Sequence, residues 1–262
     1  MENIYREIQG EDWNYEFQSN QAWKTAREFL AADLAEATHV NVLDIGCSSG
    51  RFLKELPRSW NKYGIEPSIQ HRDELKGYGI QVIAQSLMDP LTDWRGKFDA
   101  VCMFDVFEHL FHPFDDMLKA LQLLRPGGKL LLSTGNMESF QWKWLGVDHW
   151  YLDSPLHISF GSKQFFSWVV QRAPVRIIRC KKISHRHGEP RQVLRDRIIS
   201  AYFGFRIRGG IWRIPQRMIQ STSKFRDLMH KINPPYTFFL RDHLLIEFES
   251  VQSVQSRDQV SN

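Results

Sequence analysis

Asp44 and Glu66 are the first residues whose placement suggests chemistry. Asp44 lies two positions before a loop of small residues, Gly46-Cys47-Ser48-Ser49-Gly50, and Glu66 ends a second short apolar run, Tyr63-Gly64-Ile65. Small residues let the backbone come close to a ligand, and the helical pattern that starts near Arg51 offers unpaired N–H groups at its first turn. A carboxylate at the tip of a second strand accepts both hydroxyls of a ribose. Together these parts have the layout of a nucleotide-binding βαβ unit. A dinucleotide site requires three glycines at fixed spacing and seats a pyrophosphate on the helix N-terminus. This loop departs from that spacing, and the Asp44 carboxylate beside it would repel phosphates while suiting a cation. The residues therefore favour a nucleoside that lacks phosphates and carries positive charge.

Several elements must hold these residues in place. Gln21 to Ala37 has apolar residues near helical spacing. Strands are expected at 41–45, 62–66, 80–84, 99–104 and 129–134, the last nearly all apolar, as a strand covered on both faces should be. Helices fall at about 50–57 and at Pro113 to Leu124, and Pro126-Gly127-Gly128 reads as a turn. Ser162 is a candidate N-cap for a helix over Lys163 to Gln171. Val175 to Ile183 and His243 to Ser250 are the last strands. Ligand crevices in such sheets lie beyond the carboxyl ends of the strands, near the point where strand order reverses. Residues just after strands one, two, four and five are thus the ones to examine.

With four blocks in this order, the chain resembles the class I S-adenosylmethionine-dependent methyltransferases over about residues 40–170. The blocks are Leu43-Asp44-Ile45-Gly46-Cys47-Ser48-Ser49-Gly50, Gly64-Ile65-Glu66-Pro67, the run from Phe98 to Leu110, and Leu124 to Leu130 with its Pro126-Gly127-Gly128. Ser48 departs from the family, which usually has glycine there. The resemblance implies an α/β fold: a Rossmann-like, mostly parallel seven-stranded sheet with helices on both faces and an antiparallel last strand. It implies S-adenosyl-L-methionine as cofactor, with Asp44, Gly46, Cys47, Ser48 and Gly50 at its methionine half. Asp44 would act there by contact, through water, or by bracing the loop. Glu66 would bind the ribose, and Pro67 would turn the chain beneath the adenine. Gln85 or the Ser86 backbone would replace the carboxylate that the family often places after strand three. Phe104 and Asp105 would border the methyl donor. No metal is expected.

The acceptor side is read from two segments. Glu108-His109-Leu110 resembles a motif of small-molecule methyltransferases, so His109 either faces the acceptor or is braced by Glu108. The run from Asp148 to Phe160 resembles a segment of methyltransferases that act on sugars, quinones and other metabolites, where an aromatic residue and then Pro-x-His precede a helix N-cap. Here His157 is the candidate general base, or else bonds a backbone carbonyl. Trp150 and Tyr151 would wall the pocket, and His149 is a secondary candidate. Aromatic walls suit a sugar ring, a phenol or a prenyl chain, which points to a small-molecule acceptor, sugar- or lipid-linked. Asn233-Pro234-Pro235-Tyr236 resembles the catalytic tetrapeptide of adenine and glutamine N-methyltransferases, but it lies far from strand four and is read as a proline turn. The competing readings are a nucleic-acid or protein methyltransferase, and a scaffold of this fold without catalysis.

Composition frames the rest. The chain has 262 residues and three cysteines, Cys47, Cys102 and Cys180, odd in number and without metal-ligand spacing. That usage suits a reducing, cytoplasmic setting. The first residues show no basic and apolar leader pattern, and no apolar run approaches the roughly 18 residues of a membrane span. Charge is uneven: 172–243 holds 17 Lys or Arg against 4 Asp or Glu, a net of +13 in a chain whose total is +4. Such asymmetry marks either an anionic partner or a solvated helical face. Interleaved Trp, Phe, Tyr and Ile favour the surface of an anionic membrane, with the protein peripheral to it; no RNA-binding motif supports nucleic acid. The expected organisation is an N-terminal helical flap (1–38), a core (39–188), a basic helical insert (189–242), a final core strand (243–250) and a polar, disordered tail (251–262).

Overall fold

Side-chain alternation along the strands dictates the layers. In the computed structural model, which describes residues 20–152, 155–184, 190–208 and 241–251, seven strands form one sheet: β1 (Asn41–Ile45), β2 (Asn61–Ile65), β3 (Ile80–Ala84), β4 (Phe98–Phe104), β5 (Leu124–Gly135), β6 (Val175–Ile183) and β7 (His243–Ser250). Their order is β3-β2-β1-β4-β5-β7-β6. β1 pairs in parallel with β2 and β4, β2 with β3 and β4 with β5, while β7 runs antiparallel between β5 and β6. The Rossmann-like sheet with an antiparallel last strand is therefore as expected. Half of the expected 1–38 flap, much of the 189–242 insert, the segment Asn233-Pro234-Pro235-Tyr236 and nearly all of the tail lie outside the described residues.

The two faces carry separate cores. Leu43, Ile45, Val101, Met103, Leu130 and Leu132 point to one face. They meet α4 (Pro113–Leu123) through Met117, Ala120 and Leu121, and α6 (Lys163–Val169) through Phe166 and Val169. Val42, Ala100, Cys102 and Leu131 point to the other, under α1 (Gln21–Asp33), α2 (Arg51–Lys54) and α3 (Arg72–Gly77). Each large side chain buried this way contributes about 1.5–3 kcal/mol. Caps set the helix starts: Asn20 accepts the Trp23 N–H at 3.0 Å, and Ser162 accepts the Phe165 N–H at 3.0 Å, as the sequence suggested.

Some bounds differ from expectation for local reasons. α2 is a single turn rather than 50–57, because Leu56 precedes Pro57 and the α region is disfavoured before proline. The Pro126-Gly127-Gly128 turn is a bulge at the start of β5, where the register with β4 jumps from Phe98↔Leu124 to Ala100↔Lys129. A smaller core lies apart from the sheet: α5 (Phe140–Leu145) and α7 (Pro190–Arg208) meet through Leu145, Ile199, Tyr202 and Phe203, with Trp144 alongside.

Candidate active site

The order of strands reverses between β1 and β4, so the loops after those strands border one crevice. In the first loop Gly46 has φ +71°, and its N–H donates to the Ile65 carbonyl at 2.8 Å. A Cβ on Gly46 would stand 2.7 Å from Val106 Cγ2, and one on Gly50 (φ +73°) 2.5 Å from Ile80 Cδ1. Both glycines are thus needed for conformation and for space. Ser48 also sits in the left-handed region, φ +48°, where the family's glycine would avoid a cost of about 1–2 kcal/mol.

Glu66 explains how Ser48 stays there. One carboxylate oxygen, Oε2, accepts the Ser48 N–H at 2.7 Å, and the other, Oε1, accepts the Ser68 N–H at 2.8 Å. The loop is braced by Glu66, and each oxygen keeps lone-pair capacity for a further donor. Asp44 is buried at the end of β1, with no hydrogen bond to its carboxylate among the described residues. Burial, aided by the negative charge of Glu66, holds its carboxyl well above the usual carboxylate range. A cationic ligand would relieve both effects. Cys47 fills the space over Gly64, where a Cβ would stand 2.5 Å from its Sγ, and burial pushes its thiol up. Pro67 is exposed beside Glu66.

After β3, the Gln85 and Ser86 N–H groups both donate to Asp89 Oδ2, at 2.7 and 3.1 Å. Those two bonds hold the Asp89 carboxyl below its ordinary value. Asp89 thus supplies a carboxylate to this turn, three positions past Ser86, where the expected candidates ended. After β4, Phe104 packs into the core edge-on to Phe52 at 4.7 Å. Asp105 has φ +55°. Its N–H donates to the Ser133 carbonyl and hydroxyl (3.3 and 3.2 Å), and the Ser133 hydroxyl donates to its carboxylate at 3.0 Å.

The acceptor-side residues gather around Glu108, which is 1 % exposed. Its Oε1 accepts the Tyr151 hydroxyl at 2.5 Å and its Oε2 the Thr134 hydroxyl at 3.1 Å. Its backbone carbonyl accepts the N–H groups of Ile158 and Ser159, which ties the His157 segment to the end of β4. Burial first, then the Asp105 charge, raises the Glu108 carboxyl. Tyr151 is buried rather than lining an open wall: its hydroxyl also accepts the Gly135 N–H at 3.1 Å, and a Cβ on Gly135 would clash with its ring at 2.5 Å. Trp150 opens the same 3₁₀ turn, Trp150–Leu152, and its side chain is outside the described part.

His109 and His157 are half-buried, with ring centroids 5.0 Å apart. His157 lies 4.2 Å from the Tyr151 ring. His157 Nδ1 is 2.6 Å from the Tyr151 carbonyl, and His109 Nδ1 is 3.1 Å from the Leu156 carbonyl. A carbonyl only accepts, so each Nδ1 carries a proton and each Nε2 is turned away from that bond. Burial lowers His157 to about 4, so it is neutral at physiological pH. His149 belongs to the scaffold: it is buried, stacks on Trp142 at 4.6 Å, and its Nδ1 accepts the Tyr151 N–H. Burial lowers it to about 4 as well. The sequence reading missed Thr134 and the Tyr151–Glu108 bond, since the partners are 26 and 43 positions apart and no local pattern joins them.

The family model described as "Methyltransferase domain" matches residues 15–178. A ubiquinone biosynthesis O-methyltransferase from Xanthomonas axonopodis pv. citri is 33 % identical over 116 residues, covering 42 % of this chain and 48 % of that protein. A tRNA U34 carboxymethyltransferase from Desulfotalea psychrophila is 27 % identical over 154 residues, covering 56 % of this chain and 47 % of that one. The chain thus spans about half the length of these curated relatives. Among solved structures, the plantazolicin methyltransferase BpumL, in complex with a triazolic analog and SAH, superposes with a TM-score of 0.53 at 12 % identity, covering 88 % of this chain and 85 % of that one.

Proposed function

Because the chain belongs to the methyltransferase-domain family, as a class I S-adenosylmethionine-dependent enzyme, we propose that it methylates a hydroxyl of a small-molecule acceptor, sugar- or lipid-linked. The observation that carries this reading is the pair of facing imidazoles, His109 and His157, anchored to the end of β4 beside the donor loop. The likeness to a relative named as an O-methyltransferase supports it. S-adenosylmethionine would lie along the Gly46–Gly50 loop, with Asp44 near its cationic half, Glu66 on the ribose, and the turn of Gln85, Ser86 and Asp89 at the adenine. Asp105 would border the sulfonium methyl group.

The reaction needs little beyond alignment, because the sulfonium carbon is already electrophilic. Bound S-adenosylmethionine would supply that methyl group, the electron pair of its C–S bond passing to sulfur as the acceptor oxygen takes the carbon. The hydroxyl proton must depart, and that departure depends on His157. Replacing His157 with Ala should lower kcat by about 10²–10⁴-fold and leave S-adenosylhomocysteine affinity unchanged. Methyl transfer from labelled donor to a panel of phenols, sugars and prenylated phenols measures it. Full activity in both His157→Ala and His109→Ala would remove the imidazoles from the reaction.

We assign the basic segment to an anionic membrane surface that would present a lipid-linked acceptor. In α7, Arg191, Leu194, Arg195, Arg197 and Ile198 are exposed while Ile199, Tyr202 and Phe203 face the body of the protein. Among the described residues no helix is long and apolar enough to cross a membrane. The tRNA-modifying relative and the net +13 of residues 172–243 favour RNA as the second reading.

A further inference from the structure

We propose that Glu108, His109 and His157 hold a divalent cation of the zinc class at the acceptor end of the site. The cation deepens the O-methylation reading and rests on it for its role, though not for its existence. One nitrogen of each imidazole and one Glu108 oxygen all lie within 4.8 Å of one another. Around a tetrahedral zinc, with bonds of about 2.0–2.2 Å, ligand atoms stand roughly 3.4 Å apart. Small side-chain rotations therefore close the set.

The surroundings are those of a metal centre rather than of three polar groups that happen to meet. Metal-ligating histidines donate their other ring N–H to a carbonyl or carboxylate, which fixes the tautomer and aims the ligating nitrogen. Both histidines do so here, His109 to Leu156 and His157 to Tyr151. A ligating carboxylate is itself held by hydrogen bonds, and both Glu108 oxygens receive a hydroxyl, from Thr134 and Tyr151. Two imidazoles and one carboxylate make a donor set that suits zinc, iron(II) or cobalt(II) better than magnesium or calcium, which prefer all-oxygen sites. Three protein ligands leave a position open, the mark of a catalytic rather than a structural site.

In that open position the cation takes the acceptor oxygen. It lowers the hydroxyl pKa, so the O–H bond ionises with its proton passing to water, and the resulting oxyanion attacks the sulfonium methyl. His157 then serves as a ligand, which also accounts for dependence of the proton step on it.

Cobalt(II) titration of the metal-stripped full chain tests the site without any acceptor. One equivalent of Co²⁺ should produce visible ligand-field absorption that Zn²⁺ displaces. His157→Ala and Glu108→Gln should weaken binding at least tenfold, and Thr134→Val, which removes only a support of Glu108, by about 10–100-fold. Absence of a cobalt spectrum with the unaltered chain overturns the proposal, as does an unchanged spectrum and affinity in His157→Ala. A cobalt site that depends on His157, in a protein that methylates no hydroxyl acceptor, leaves the cation in place and removes the O-methylation reading. Full methyl transfer after chelation, with no cobalt spectrum, does the reverse.

Discussion

Glu66 has two tasks for one carboxylate. It holds the Ser48 and Ser68 N–H groups, and under the proposed function it also receives the ribose hydroxyls. Glu66→Ala should therefore weaken S-adenosylhomocysteine binding by about 1.5–3 kcal/mol, the usual worth of hydrogen bonds to a charged group. Calorimetric titration measures this, and an unchanged affinity would take Glu66 out of the binding site. Glu66 and the loop were legible in the sequence because strand, loop and strand tip follow one another locally. Asp89 and the Tyr151–Glu108–Thr134 network were not, because each depends on which strand ends the fold brings together. His157 illustrates the boundary. Its place in an aromatic segment marked it, while its Nδ1 bond to the Tyr151 carbonyl needed the structure.

At the scale of elements, hydrophobic periodicity located all seven strands, and β6 and β7 match their expected bounds. The misjudged lengths, as in α2, arise where proline chemistry overrides a periodic pattern. α7 is the element with the most distinctive seating. It packs on α5 through Gly204, where a Cβ would stand 1.5 Å from the Trp144 indole nitrogen. Gly204→Ala must displace Trp144 or lift the helix, an overpacking cost of about 1–3 kcal/mol. Limited proteolysis should then cut within 190–208 sooner than in the unaltered protein, while the sheet melts at the same temperature. Equal protection of both proteins would mean that Trp144 moves aside at little cost.

Across the whole molecule, Arg179 on β6 joins two distant parts: its guanidinium bonds Asp33 of α1 at 2.7 Å and Glu247 of β7 at 2.7 Å. Burial, followed by the neighbouring Asp33, raises the Glu247 carboxyl from 4.5 to about 7. A raised carboxyl contributes stability that is full below its unfolded value of 4.5 and lost as pH rises through about 7. Asp33 is shifted the other way and acts only at the acid end. His149 and His157, lowered to about 4, act in the opposite sense in both proteins, so the test is the difference: the melting temperature of the unaltered protein relative to Glu247→Gln should fall as pH rises from 4.5 through about 7, and parallel curves would contradict it. The basic segment is tested by co-sedimentation with vesicles. Binding should require anionic lipid and fade with salt, since each basic residue adds on the order of 1 kcal/mol near such a surface. Equal binding to neutral vesicles, or preference for RNA in competition, would favour the nucleic-acid reading. The seat of β7 bears on how the chain is made. His243–Ser250 fills a slot between β5 and β6, two strands that leave the ribosome long before it. Until it arrives, β6 has no partner among the described strands and the outer edge of β5 stands open, a template for pairing with other nascent chains. The far end of the sheet can thus close only after residues 243–250 have emerged, and a translation stop before His243 should yield an aggregating product rather than a smaller stable one.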